Sequence, residues 1–118
     1  MAHQAKDLEI GFLLDFYGEL LTEHQQKIYE DVVFNDLSYS EVAKEQGVSR
    51  QGIYDLIKRI NRILAGYEEK LHLVEQFLKA KELASKIHAL TEHYLVEENL
   101  DDIYEIQRLS AEMMELQN

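Results

Sequence analysis

Five residues in the middle of the chain have side chains suited to contacts with nucleic acid: Ser49, Arg50, Gln51, Tyr54 and Lys58. Arginine and glutamine form paired hydrogen bonds with the edges of guanine and adenine in the major groove. A serine at a helix N-terminus can bind phosphate, and lysine neutralises phosphate charge. We interpret these five residues as a candidate nucleic-acid contact surface.

The residues around this surface predict the helix-turn-helix that would position it. Ala43 is small where two steeply crossing helices approach each other. Gly47 stands four residues later, where the turn requires positive φ and favours a residue without Cβ. Apolar residues occupy the positions at which the two helices share a core: Val42, Val48, Ile53 and Leu56. The second helix of such a motif presents its N-terminal residues to the major groove.

Periodicity and capping residues predict three helices before the contact surface. The first is predicted over residues 7–21, where apolar residues repeat every four positions: Leu8, Phe12, Phe16 and Leu20. Thr22 and Gln25 have the spacing of a capping box, which opens the second helix. Ser38 and Glu41 have the same spacing and open a short third helix.

Three further helices are predicted in the rest of the chain. Ser49 caps a fourth helix that is expected to run to about Ala65, with Gly66 as a stop or bend. A long helix over residues 68–91 follows, and a last one extends from Asn99 to about Leu116. Proline, which breaks helix interiors, is absent from all 118 residues. The predicted fold class is therefore all-α.

The predicted elements divide near Gly66 into a helix-turn-helix module, residues 1–66, and a helical tail, residues 67–118. The tail carries two apolar stripes: Tyr67, Leu71, Val74 and Leu78, then Ile103, Ile106, Leu109, Met113 and Leu116. These stripes can pack on each other and on the module, or they can form the seam of a homodimer. Helix-turn-helix proteins often dimerise to reach successive major grooves, and we expect a homodimer.

Charge is distributed unevenly along the chain, although the net charge is −11. Residues 1–39 have a net charge of −6 and residues 67–118 a net charge of −7. Residues 40–66 instead have five basic and three acidic side chains, a net charge of +2. The only positive third of the sequence therefore contains the helix-turn-helix pattern, as expected of a surface that meets phosphates.

Residue types that support catalysis or metal binding lack the spacing those functions need. Glu69 and His72 form one Glu-x-x-His pair, whereas a di-iron helix bundle needs two such pairs and two further glutamates. The chain has no cysteine, and no glycine-rich phosphate loop or nucleophile elbow occurs. We therefore expect no enzyme activity, no metal and no cofactor; bound metal in the purified protein would indicate the alternative, a helical metalloenzyme.

The sequence shows neither the pattern of a signal peptide nor that of a membrane-spanning segment. The N-terminal residues lack the charged start and unbroken apolar stretch of a signal peptide, and no apolar run reaches membrane-spanning length. We expect a cytoplasmic protein without membrane insertion.

Over about residues 8–75 the chain resembles the YlxM family of helix-turn-helix proteins, in the segments LLDFYGELLT, LSYSEVA, GVSRQGIYDLIKR and YEEKLHL. Residues 20–64 resemble, more distantly, region 4 of bacterial sigma factors, which recognises promoter DNA. The resemblance implies a sigma region 4-like or winged-helix-like module, with Arg50, Gln51 and Tyr54 on its outward recognition surface. YlxM proteins are typically encoded beside signal recognition particle genes, which implies a regulatory role in that pathway with its components as partners.

These observations predict a regulatory, non-enzymatic protein that binds nucleic acid, DNA in preference to RNA. The alternative is a non-catalytic interaction module that uses the helix-turn-helix as a docking scaffold for another protein. Salt separates the two hypotheses, because phosphate neutralisation makes affinity fall steeply as salt rises.

Overall fold

The computed structural model describes residues 4–116, and helices make up most of this range. Six α-helices and one 3₁₀ turn follow each other: α1 (Gln4–Tyr17), the turn (Gly18–Leu20), α2 (Glu23–Val33), α3 (Tyr39–Gln46), α4 (Arg50–Leu71), α5 (Leu73–Glu97) and α6 (Leu100–Glu115). No strand occurs in the described range, which confirms the all-α class. A winged-helix-like module is not what forms, because a wing is a β-hairpin.

The predicted capping residues begin their helices. The Thr22 hydroxyl accepts a hydrogen bond from the Gln25 N–H at 3.1 Å, and Gln25 Oε1 accepts one from the Thr22 N–H at 3.0 Å. The Ser38 hydroxyl likewise accepts from the Glu41 N–H at 3.1 Å. The Glu41 carboxylate, however, accepts from the Ser38 hydroxyl and not from its backbone. The capping box is therefore complete at α2 and half formed at α3.

The face of α1 that is buried differs from the predicted stripe. Leu14 and Tyr17 are buried in α1, and Leu21 is buried just after the 3₁₀ turn, whereas Phe16 and Leu20 are 37% and 55% exposed. A strict four-residue step drifts around a helix of 3.6 residues per turn, so spacings of three and four follow one face better. The side chain of Leu8, which the prediction included, lies outside the described part of the chain.

The N-terminal unit is built around α4, which contacts α1, α2 and α3. Its buried side is formed by four residues at helical spacing: Ile53, Ile57, Ile60 and Leu64. Two tyrosines bond to its C-terminal half: the Tyr17 hydroxyl donates to Glu68 Oε1 at 2.6 Å, and the Tyr29 hydroxyl donates to Asn61 Oδ1. Burial raises the pKa of Tyr29 to about 12, so this hydroxyl keeps the proton that it donates.

The helix α4 continues for more than a turn beyond Gly66, so its predicted end at Ala65 is wrong. Glycine inside a helix costs only about 1 kcal/mol relative to alanine, and contacts beyond it offset this cost. The Tyr67 ring stacks on Tyr17 with centroids 5.9 Å apart. The helix ends where His72 adopts a left-handed φ of 56°. The chain accordingly separates into two compact units, residues up to 72 and residues from 73.

The C-terminal unit is a hairpin of α5 and α6, with Val74, Leu83 and Leu109 buried. Of the two predicted stripes, Val74 and Leu109 are buried, whereas Leu71, Leu78 and Ile103 are exposed. Asn99 caps α6 as predicted, accepting a hydrogen bond from the Asp101 N–H at 2.9 Å. Between residues 4 and 116, no helix is both long and apolar enough to cross a membrane.

Candidate nucleic-acid interface

The turn between α3 and α4 has the geometry that the sequence predicts. Gly47 closes α3 with a left-handed φ of 68°, and the Val48 N–H donates to the Ala43 carbonyl at 3.0 Å. Val42 and Ala43 are buried where α3 packs on α4. Val48 was expected in the shared core but is 50% exposed. It lies in the turn itself, outside both helices, so its side chain reaches the edge of the core and not its interior.

The outward face of α4 follows from its buried face. Since Ile53, Ile57, Ile60 and Leu64 share one side, the opposite side is formed by Gln51, Asp55, Lys58 and Arg62, spaced four, three and four residues apart. All four are exposed. Arg50 is the first residue of the helix and is also exposed. The candidate surface is therefore accessible, and Gln51 and Lys58 lie on the side of α4 opposite its buried side.

Ser49 is the N-cap of α4, and its hydroxyl accepts a hydrogen bond from the Gly52 N–H at 2.9 Å. Its backbone carbonyl accepts from the Ile53 N–H at 3.2 Å. The N–H groups of the first helical turn have no partner within their own helix, which leaves those of Arg50 and Gln51 for an external acceptor. The Ser49 hydroxyl proton is also free to donate, so this end of α4 suits an anionic oxygen.

Gln51 does not point freely into solvent, because its Nε2 donates to Asp55 Oδ1 at 3.0 Å. A bidentate contact with adenine would require Gln51 to leave Asp55 or to share its donor. The Asp55 carboxylate also stands in the middle of the outward face, where it repels phosphate. The surface is consequently less uniformly basic than the predicted residues alone suggest.

Tyr54 is held between two neighbours at the side of this face. Lys58 Nζ lies 5.4 Å from the centroid of its ring, a cation–π contact. The Tyr39 ring meets it edge-on at 6.0 Å. Tyr54 is nevertheless 41% exposed, so the structure brings Tyr54 and Lys58 together into one accessible pair.

Basic residues of the helix-turn-helix differ from those of the hairpin in their partners. Within the described range, none of the five basic residues between 40 and 66 is in an ion pair: Lys44, Arg50, Lys58, Arg59 and Arg62. In the hairpin, three of the four basic residues are in ion pairs: Lys79 and Lys86 with Glu82, and Arg108 with Glu105 and Glu112, whereas Lys81 is in none with a described residue. The cations of the helix-turn-helix are thus available to an external anion.

Three residues of the surface are absent from the predicted set. Arg62 follows Lys58 by four residues, so helical spacing alone could have identified it. Arg59 is exposed and follows Lys58 directly in the sequence. Tyr39 carried no such signal, since its contact with Tyr54 arises from the packing of α3 on α4. Tertiary contacts of this kind are not encoded in local spacing.

A groove of about 310 Å³ runs between α2 and the flank of α4. Its lining includes the apolar side chains of Ile28, Val48 and Leu56 and the polar side chains of His24 and Arg59. Residues 4–116 contain no cluster of three or more histidine or acidic side chains that could hold a metal ion. The arrangement can therefore bind anions along α4 or an apolar group in the groove.

Comparison with known proteins connects this surface to one family. A family model described as "Putative helix-turn-helix protein, YlxM / p13 like" matches residues 4–106. The chain is similar to a UPF0122 protein of Acetivibrio thermocellus, with 48% identity over 82 residues that make up 70% of each chain. It is 40% identical to a relative from Halalkalibacterium halodurans, over 80% of this chain and 87% of the relative. For a relative from Oceanobacillus iheyensis, the identity is 38% over 86% of this chain and 96% of the relative.

Proposed function

Because the chain belongs to the UPF0122 family of YlxM/p13-like helix-turn-helix proteins, we propose that it is a regulatory, non-catalytic protein that binds nucleic acid through α4. The proposal places the protein in the cytoplasm and makes DNA its target in preference to RNA. It extends to a role in the signal recognition particle pathway, with the components of that particle as the first partners to test. The support for this pathway is the resemblance to a family encoded beside its genes.

The observation that carries the proposal is the contrast in cation pairing. A net charge of −11 opposes association with nucleic acid, so binding depends on a local surface with available positive charge. Arg50, Lys58 and Arg62 are exposed on α4, and none of them is in an ion pair with a described residue. Counterion release by such residues supplies the affinity.

Each contact residue has a role in this proposal. Ser49 and the start of α4 hold a phosphate, Arg50 reads a base edge, and Lys58 neutralises a second phosphate. Gln51 exchanges its hydrogen bond with Asp55 for one with a base. Tyr54 is positioned by Lys58 and Tyr39 to pack against the sugar or a thymine methyl group.

The test is a fluorescence titration of labelled genomic fragments and of the signal recognition particle RNA. The Arg50→Ala/Lys58→Ala variant should bind at least tenfold more weakly than the parent, because each lost contact is worth about 1–3 kcal/mol. Its unfolding free energy should change by about 0.5 kcal/mol or less, as for ordinary surface substitutions. The matched control is Lys79→Ala/Lys86→Ala, which removes equal charge from residues paired with Glu82. Equal weakening of nucleic-acid binding by both variants would show that net charge, and not the surface of α4, determines the affinity.

The docking module remains a second candidate function, favoured by the groove beside α4. Val48 lines this groove and is 50% exposed, and an apolar side chain in such a place suits contact with another protein. In this case the unmodified protein would have no measurable affinity for nucleic acid at low salt. A Val48→Ser variant would then lose its protein partner, whereas the Arg50→Ala/Lys58→Ala variant would keep it.

We also propose that two chains associate through the tail. Within the hairpin, Leu78 and Ile103 are 41% and 40% exposed, although Leu109 in the same stripes is buried. A seam between chains would cover the exposed members. Light scattering of the full chain at micromolar concentration should give the mass of a dimer. The mass of a monomer would contradict the seam and mean that the stripes pack within one chain.

A further inference from the structure

The turn between α5 and α6 exposes four large apolar side chains. Leu95 and Val96, in the last turn of α5, are 80% and 78% exposed. Leu100 and Tyr104, one turn apart at the start of α6, are 56% and 62% exposed. We call these four residues the hairpin tip. Exposed apolar side chains grouped in this way typically mark an interaction site.

The hairpin tip is presented by a structured turn. The Glu98 N–H donates to the Tyr94 carbonyl at 2.8 Å and closes α5, and Asn99 caps α6. His93 Nδ1 contacts the buried Asp102 carboxylate and so joins the two helices within about one turn of the tip. The two helix ends that carry these apolar side chains are therefore fixed by defined hydrogen bonds, which lowers the entropy lost when a partner binds.

The surroundings of the hairpin tip are acidic. The sequence has no lysine or arginine between residues 87 and 107. Glu97, Glu98 and Asp101 are exposed at the tip, and none of them is in an ion pair with any residue that the structure describes. An apolar centre bordered by unpaired carboxylates complements an apolar surface bordered by lysine or arginine.

From this complementarity we propose that the hairpin tip binds a cationic amphipathic helix of another protein. The apolar face of that helix covers Leu95, Val96, Leu100 and Tyr104, and its basic residues meet Glu97, Glu98 and Asp101. The acidic border repels nucleic acid, anionic lipid and the same tip of a second copy. This surface lies outside α4, so the inference stands independently of the proposed function.

The experiment uses the full chain and a fluorescein-labelled helical peptide of leucine and lysine, with leucines at the i, i+3, i+4 and i+7 positions. A peptide of the same composition with scattered leucines is the control ligand. Anisotropy should show at least tenfold tighter binding of the amphipathic peptide. The Leu95→Ser/Val96→Ser and Leu100→Ser/Tyr104→Ser variants should each weaken this binding at least tenfold, because buried apolar anchors dominate such interfaces. Glu97→Gln/Glu98→Gln should weaken it severalfold and reduce its salt dependence.

The matched control protein is Met114→Ser, which removes an apolar side chain that is 75% exposed near the other end of α6. It should bind the amphipathic peptide like the parent. Equal binding of both peptides, or equal weakening by Met114→Ser, would overturn the proposal by showing unspecific attraction. Binding to phosphatidylglycerol vesicles that the parent shows and the Leu95→Ser/Val96→Ser variant loses would overturn it in favour of lipid, and a loss of dimer mass in that variant would overturn it in favour of a second copy.

Discussion

Among single residues, Gly47 has the most specific backbone requirement. Its φ is 68°, and an added Cβ would meet no atom within 4 Å. A substitution therefore acts through backbone strain and not through a steric clash. Gly47→Val should lower the free energy of unfolding by about 1–3 kcal/mol, because a β-branched residue is strained in the left-handed region.

Urea unfolding followed by circular dichroism measures this loss. Gly47→Asn is the matched control and should lose less, since asparagine tolerates the left-handed conformation. If Gly47→Val were as stable as the parent, the register assigned to the turn would be wrong.

A second residue-scale prediction concerns the pH response of His93. The hydrogen bond and the negative charge of Asp102 raise the pKa of His93 above its ordinary value of 6.5, and Glu97 contributes in the same direction. A pKa that is higher in the folded protein stabilises the fold below the unfolded value, and this contribution is lost as pH rises through the folded value. The stability advantage of the parent over Asp102→Asn should therefore be complete below the ordinary value of 6.5 and shrink as pH rises from there through the higher folded value.

The direct readout is the imidazole titration of His93 by nuclear magnetic resonance. In Asp102→Asn its midpoint should move back towards the ordinary value. An identical midpoint in both proteins would mean that the His93–Asp102 contact is absent in solution.

Residues with local roles could be predicted from the sequence, and those with long-range partners could not. Thr22 and Gly47 depend on neighbours within four or five positions, so their caps and turn are encoded in short segments. The exposure of Val48 and the contact between Tyr39 and Tyr54 depend on how helices pack. The candidate contact residues stay a prediction, although all of them are accessible on or beside the outward face of α4.

At the scale of elements, α4 explains why helix ends were harder to predict than helix starts. Starts follow side-chain caps such as Ser49, whereas Gly66 looks like a stop and is overridden by the packing of Tyr67 on Tyr17. The helix actually ends at His72, where no glycine in the sequence indicates a left-handed residue. The start of α5 was consequently misplaced by the same few residues.

This continuity makes Gly66 a site for stabilisation. An added Cβ at Gly66 would meet no atom within 4 Å, so Gly66→Ala should raise the free energy of unfolding by about 0.5–1 kcal/mol through helix propensity. Gly52→Ala is the matched control, because its Cβ would lie 3.2 Å from the Ser49 hydroxyl and crowd the cap. Thermal unfolding measures the stability of both variants, and we expect Gly52→Ala to gain less than Gly66→Ala. A Gly66→Ala protein less stable than the parent would contradict a continuous α4.

At the scale of the whole molecule, the pairing of basic side chains differs between the helix-turn-helix and the hairpin. Cations of the helix-turn-helix are unpaired among the described residues, whereas Lys79, Lys86 and Arg108 of the hairpin are paired with glutamates. This difference reconciles a net charge of −11 with the proposed surface for phosphates. The sequence alone indicated the segregation of charge, but pairing depends on which side chains meet in space.

The central claim, that α4 binds nucleic acid, is tested most directly by the salt dependence of binding. Affinity for labelled genomic fragments and for the signal recognition particle RNA is measured between about 50 and 200 mM salt, a range over which phosphate neutralisation changes affinity strongly. We expect log Kd to rise linearly with log salt concentration, with a slope of about 0.9 per phosphate contact, and Lys58→Ala to reduce that slope by about one. No binding to either ligand at the lowest salt, or binding with a flat salt dependence, would contradict the claim.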